Sequence, residues 1–312
     1  ILVKENFMNL LKKLPIPIAG LILSMFALGN LLQSYSNAVR LGIGAVALIL
    51  YLLFVLKIVV LNCKLKTVLE NPVAASVLLT ITMATILLSS YAKPYSSGLA
   101  VAFWFAGVIL HTLLMVWFSI KFLPNFSIKK VFPSWYIVYV GIATASVTAG
   151  AAGQLKLGQI CFWFSLVSYL VLIPVVCYRG FKVKEIPEPA QPTFAILSAP
   201  GSLVLAGYLN TFPEKSFTFA TVLFAISVLF YIIVLVNLPR LLKLKFSPGF
   251  SGFTFPLVIS AISSKLFNGY VTKVNGANSI LKLFVNFQEI LATVIVLYVF
   301  IGYMKFLLEK EN

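Results

Sequence analysis

The sequence has no aspartate, one histidine (His111) and three cysteines (Cys63, Cys161, Cys177) without CxxC spacing. Charged residues make up 10% of its 312 positions, against roughly 25% in soluble domains. Each shortage excludes something. Eight glutamates scattered along the chain form no carboxylate pair, and there is no glycine-rich phosphate loop or nucleophile motif. An enzyme is therefore not expected. A lone histidine with no cysteine or carboxylate at ligand spacing makes no metal centre, so neither metal nor cofactor is expected. The cysteines read as free thiols packed as small apolar groups.

What is present is apolar: 61% of residues are hydrophobic and the mean hydropathy is +1.02. So little polar surface cannot cover a fold in water, so the solvent is lipid. The net charge of +16 would suggest nucleic acid for a soluble chain. Here Lys and Arg fall in short loops between apolar runs, so they report topology and no nucleic-acid partner is expected.

Ten segments are long enough to span a bilayer: 15–34, 38–62, 72–92, 97–122, 132–152, 155–178, 191–210, 216–238, 250–270 and 279–305. Turn signals separate them, among them Lys93-Pro94 and Asn275-Gly276. Seventeen of the 24 Lys and Arg fall on one side of the resulting topology. The positive-inside rule makes that side cytoplasmic, with both termini there, in a cell inner or plasma membrane. The first apolar run lacks a small-residue cleavage site and belongs to a repeat, so no cleaved leader is expected.

That repeat is marked by proline. The odd-numbered segments begin at or just after Pro15, Pro72, Pro133, Pro192 and Pro248, spaced 56 to 61 residues apart. This is the period of one helical hairpin, repeated five times across 15–62, 72–122, 132–178, 191–238 and 250–305. The odd segments are rich in small and hydroxyl residues and the even ones are greasier. Small residues let helices approach closely, and hydroxyls can face water. The expected fold is an all-α integral membrane protein forming one channel domain, with odd helices in an inner ring and even helices outside.

The ninth segment is unusual. It carries Gly252, Phe255 and Pro256 inside an apolar run. Proline removes a helix hydrogen bond, and in lipid such a break persists where protein or a water-filled cavity receives the freed groups. Phe255 is thus expected at a narrow point facing inward. Of the ionisable residues, Glu289 alone among the glutamates lies well inside a span, on the tenth segment. It reads either as a functional carboxylate or as a packing group. His111 reads as a packed residue, a ligand or a proton relay. Lys265 is the only cation on the odd segments and could hold an anion. A pathway lined by these segments would be neutral and lightly polar, suited to weakly hydrated monovalent anions.

Leu14-Pro15-Ile16-Pro17, Phe132-Pro133-Ser134-Trp135, Leu197-Ser198-Ala199-Pro200 and Phe253-Thr254-Phe255-Pro256, in this order and spacing, resemble the tellurite-resistance/dicarboxylate transporter family. That family holds the bacterial TehA proteins and the slow-type anion channels of plant guard cells. The resemblance spans about 14–308. It implies ten helices in five hairpins around a pore, usually as a homotrimer, with Phe255 as the occluding ring. It places inner-helix kinks at Gly20, Pro200 and Pro256. Candidate pore-lining positions are Ser24, Thr80, Thr144, Ser202 and Ile259. Thr82 and Val138 stand where bacterial relatives are expected to carry a mid-helix proline, a departure that bears on five equivalent kinks and not on the fold. The implied function is a channel for small inorganic anions such as chloride and nitrate. The alternative is a secondary exporter of dicarboxylate, sulfite or tellurite-type oxyanions. Proton coupling in that exporter would need Glu289 or His111.

Overall fold

The computed structural model describes residues 2–61, 66, 68–184 and 186–309, so Cys63 lies outside the described residues. Among the described residues eleven helices of more than one turn follow one another: α1 Leu2–Lys13, α2 Ile18–Leu32, α3 Asn37–Val60, α4 Pro72–Ala92, α5 Ser97–Phe122, α6 Trp135–Ala152, α7 Leu155–Val183, α8 Glu188–Thr211, α9 Phe217–Leu241, α10 Pro248–Asn275 and α11 Ser279–Leu308. Among the described residues nine, α3 to α11, are long and apolar enough to cross a membrane. The tenth expected span, α2, has 15 helical residues, or about 22 Å at 1.5 Å per residue. All ten expected spans have their helix.

Local chemistry separates two kinds of helix. The helices following the repeat prolines start at or near a proline, as α4 does at Pro72 and α10 at Pro248. Proline is suited to a first turn because its missing N–H would have no partner there. Their successors start on a side-chain cap. Ser36, Ser96, Ser216 and Asn278 accept from the backbone N–H groups of Val39, Leu99, Phe219 and Leu281, satisfying donors that would otherwise be orphaned. The α6–α7 corner uses glycine instead. Gly153 ends α6 at φ 67°, a left-handed conformation that costs an L side chain energy.

Burial sorts the same two sets. The apolar windows of α4, α6, α8 and α10 are 72 to 94% buried, and those of α3, α5, α7, α9 and α11 are 22 to 33% buried. α2 is buried along almost its whole length. Each inner helix packs on the outer helix that follows it, and the inner helices close a ring in the order α2, α4, α6, α8, α10 and back to α2. The outer helices present Ile49, Ile120, Ile160 and Val236 outward, a surface that only lipid or another apolar chain can cover.

Four inner helices are interrupted along their length. α4 breaks at Leu79, α6 at 140–142, α8 between Ser198 and Ala199, and α10 between Phe253 and Thr254. Pro200 and Pro256 do not sit inside continuous helices. They occupy the first turn of the restarted segments Ala199–Thr211 and Thr254–Asn275, where no donor is lost. Gly20 likewise lies in the first turn of α2. A Cβ there would meet Ser251 Oγ at 3.3 Å, so the glycine admits close approach of α10. α4 and α6 break without proline.

α1 was not anticipated. It is amphipathic and too short to span. Leu11 is buried, and Lys57 of α3 donates to the Leu11 and Lys12 carbonyls at 3.1 and 3.2 Å. An ammonium at a helix C-terminus satisfies orphan carbonyls and opposes the dipole.

Candidate functional site

Two cavities lie inside the ring, one toward the Lys-rich side and one toward the far side. The first, about 260 Å³, is lined by residues from all five inner helices and the turns leading into them, including Gly20, Thr80, Tyr136, Pro200 and Pro256. The second, about 740 Å³, is again lined by all five, including Asn30, Ser90, Thr144, Ile259 and Lys265. No residue of an outer helix lines either cavity.

Two side chains, Phe255 and Leu203, border both cavities. The break before Thr254 presents Phe255 at this level from α10, and Leu203 comes from α8, one turn after Pro200. Phe253, two residues earlier, is fully buried and packs on Phe250 with ring centroids 5.0 Å apart. The wall between the cavities is therefore apolar, and neither is lined by a carboxylate.

The candidate residues divide. Thr80 lines the first cavity and Thr144 and Ile259 the second. Ser24 and Ser202 line neither. Ser24 donates to the Leu21 carbonyl at 2.8 Å, and Ser202 lies 3.1 Å from Ser260 Oγ across the α8–α10 contact. Both are hydroxyls of helix packing.

Lys265 and Glu289 are brought together. Lys265 Nζ donates to Glu289 Oε1 at 2.6 Å, Ser34 Oγ at 2.7 Å and the Leu31 carbonyl at 3.1 Å. Tyr35 Oη donates to the second carboxylate oxygen at 2.6 Å. That bond, with burial and the carboxylate's charge behind it, raises the Tyr35 pKa and keeps it a donor. Glu289 faces a separate lateral groove between α11 and the end of α2.

His111 lines neither cavity. It is fully buried, with Nδ1 2.7 Å from Thr82 Oγ1 and Nε2 3.1 Å from the Val138 carbonyl. Thr82 and Val138 are the two positions that lack the expected proline, and each lies beside the break in its helix. The imidazole joins α5 to both broken helices.

Leu203, Asn30 and Arg40 were not candidates in the sequence reading. Arg40 is buried, donating through Nε to Asn30 Oδ1 at 3.0 Å and through Nη2 to the Ser90 carbonyl at 2.7 Å. Its guanidinium lies 4.4 Å from the centre of the Tyr91 ring.

The voltage-dependent anion channel family matches residues 13–304. The chain belongs to that family. This is the family of the TehA and SLAC1 proteins, in agreement with the resemblance carried by the proline-led repeats. Membership implies anion transport or channel activity. No curated protein matches the chain. The helix pattern and the family together make this a multi-pass membrane protein.

Proposed function

We propose that the protein is a passive channel for small monovalent anions such as chloride and nitrate, gated by Phe255. The observation that carries this reading is the shared wall: Phe255 and Leu203 border both cavities, which are lined by every inner helix. A phenyl ring across a neutral tube blocks ions by bulk and by dewetting. Opening moves the ring aside, at a cost of about 1.5–3 kcal/mol if its apolar surface meets water. The lining favours anions over cations in that it holds no carboxylate to repel them.

Coupled export of dicarboxylate, sulfite or tellurite-type oxyanions is less well supported. The lining of the two cavities contains no glutamate and no histidine, and Glu289 and His111 are held elsewhere. By the charge asymmetry both termini are cytoplasmic. The exposed apolar outer ring is compatible with a homotrimer in the bilayer.

The test is bilayer recording of wild type and Phe255→Ala in chloride, nitrate and malate. Phe255→Ala is expected to raise chloride and nitrate current on the order of tenfold or more, following the cost of displacing the ring. An unchanged current sinks the gate, and a current carried only by malate sinks the monovalent reading.

A further inference from the structure

Two cations serve the far-side cavity, Lys265 in its lining and Arg40 behind the lining residues Asn30 and Ser90, and they are in opposite states. Lys265 has three N–H donors and three acceptors within 3.1 Å, one of them a carboxylate. Its charge is neutralised and no donor is left for a passing ion. Among the described residues Arg40 has no such counter-ion. The groups around the guanidinium are neutral: an amide oxygen, a peptide carbonyl and the Tyr91 ring.

The neighbours make this arrangement specific. The Tyr91 ring fits beneath Arg40 because Gly29 and Gly44 have no side chain to obstruct it. Arg40 Nε fixes the Asn30 amide, since the oxygen must face the guanidinium. The Asn30 nitrogen then turns the other way and donates to Ser90 Oγ at 2.9 Å. Ser90 Oγ in turn donates to the Leu87 carbonyl. An amide nitrogen has two hydrogens, so one remains after the bond to Ser90. Asn30 and Ser90 both line the cavity.

We propose that Asn30, backed by Arg40, is the anion-binding station of the far-side cavity, and that Lys265 is not. The ligand is a monovalent inorganic anion that accepts from the Asn30 N–H in the field of the buried guanidinium. A single neutral donor with a charge one residue behind it holds an ion weakly enough to release it, as conduction requires. This rests on the reading of the two cavities as an anion path.

The experiment is unitary recording in the Phe255→Ala background at two chloride concentrations. At about 10 mM the Debye length is about 30 Å, and at about 1 M it is about 3 Å. Arg40→Gln is expected to lower conductance about tenfold at the low concentration, the lower bound for charge focusing in clefts, and to leave it unchanged at the high one. Arg40→Lys keeps the charge and is expected to keep most of the conductance. Asn30→Ala, which leaves the guanidinium in place, is expected to weaken chloride saturation and serves if Arg40→Gln does not fold. Equal loss at both concentrations, or equal loss in Arg40→Lys and Arg40→Gln, overturns the proposal in favour of a packing role. Should Phe255→Ala pass no current, the gate reading fails while the station is still decided by anomalous diffraction from bromide-soaked wild-type crystals. Bromide on Asn30 Nδ2 supports it, and bromide on Lys265, or no bromide in the cavity, overturns it.

Discussion

Lys265 on α10 and Glu289 on α11 form an ion pair at 2.6 Å between the far-side cavity, which Lys265 lines, and the lateral groove, which Glu289 lines. The carboxylate is almost wholly buried and the ammonium about one-third exposed. The pair thus silences a positive charge at the edge of the far-side cavity.

Glu289→Gln should unmask that charge. Chloride conductance at low salt is expected to rise, the opposite direction to Arg40→Gln. Stability is expected to fall by about 1–3 kcal/mol, since Lys265 and Tyr35 both lose a charged partner. Recording and thermal denaturation in detergent check the two effects. The same variant tests coupling. With no titratable carboxylate in the path, the reversal potential should follow the anion gradient and ignore a proton gradient, with and without Glu289.

Leu203 borders both cavities together with Phe255. If bulk at this level sets the block, its source should be interchangeable. Leu203→Phe in the Phe255→Ala background is therefore expected to return the current most of the way to the wild-type level. A double variant that conducts like Phe255→Ala would place the constriction elsewhere.

His111→Ala should destabilise without touching either cavity. It leaves the Val138 carbonyl without its imidazole partner, while the Thr82 hydroxyl keeps the Leu79 carbonyl, at about 1–3 kcal/mol for the buried group left unpaired. A lower melting temperature is expected, with partial recovery in His111→Gln. A thermally unaffected His111→Ala would contradict the bridging role.

Two glycines give a paired test of helix approach. A Cβ on Gly107 of α5 would stand 2.8 Å from the Ile86 backbone nitrogen and 2.9 Å from the Thr82 carbonyl, and backbone cannot yield. Gly107→Ala is expected to cost about 1–3 kcal/mol by forcing α5 off α4. Gly42 on α3 has nothing within 4 Å, so Gly42→Ala should be neutral or stabilise by about 0.5–1 kcal/mol. Melting temperatures in detergent separate the two.

The ten spans were legible because a lipid solvent demands long apolar runs, and because prolines at starts and Lys or Arg at one set of ends punctuate them. The inner and outer assignment followed from small and hydroxyl residues, which the burial of α4, α6, α8 and α10 matches. Single residues were less legible. Ser24 and Ser202 share the inner helices' composition, but a hydroxyl's direction depends on helix rotation, which composition does not encode. Arg40, near the start of the second segment, has no motif around it to single it out. Its partners Asn30 and Ser90 lie 10 and 50 residues away, and only the closed ring brings α2, α3 and α4 together around it. The breaks in α4 and α6 were hidden because no proline marks them in the sequence. α1 went unread because its short apolar stripe, broken by lysines, falls below the length of a span.

The neutrality of the wall between the cavities has an electrical consequence. A charge moved across the whole membrane field gains about 2.3 kcal/mol per 100 mV, and steep voltage sensing needs several such charges. A swinging phenyl ring carries none. Arg40 is tied to α2 and α4, and Lys265 would have to move with Glu289 as a neutral couple. The proposed gate would therefore carry no voltage sensor among the residues named here, and any dependence of current on membrane potential should arise from the anions entering the path.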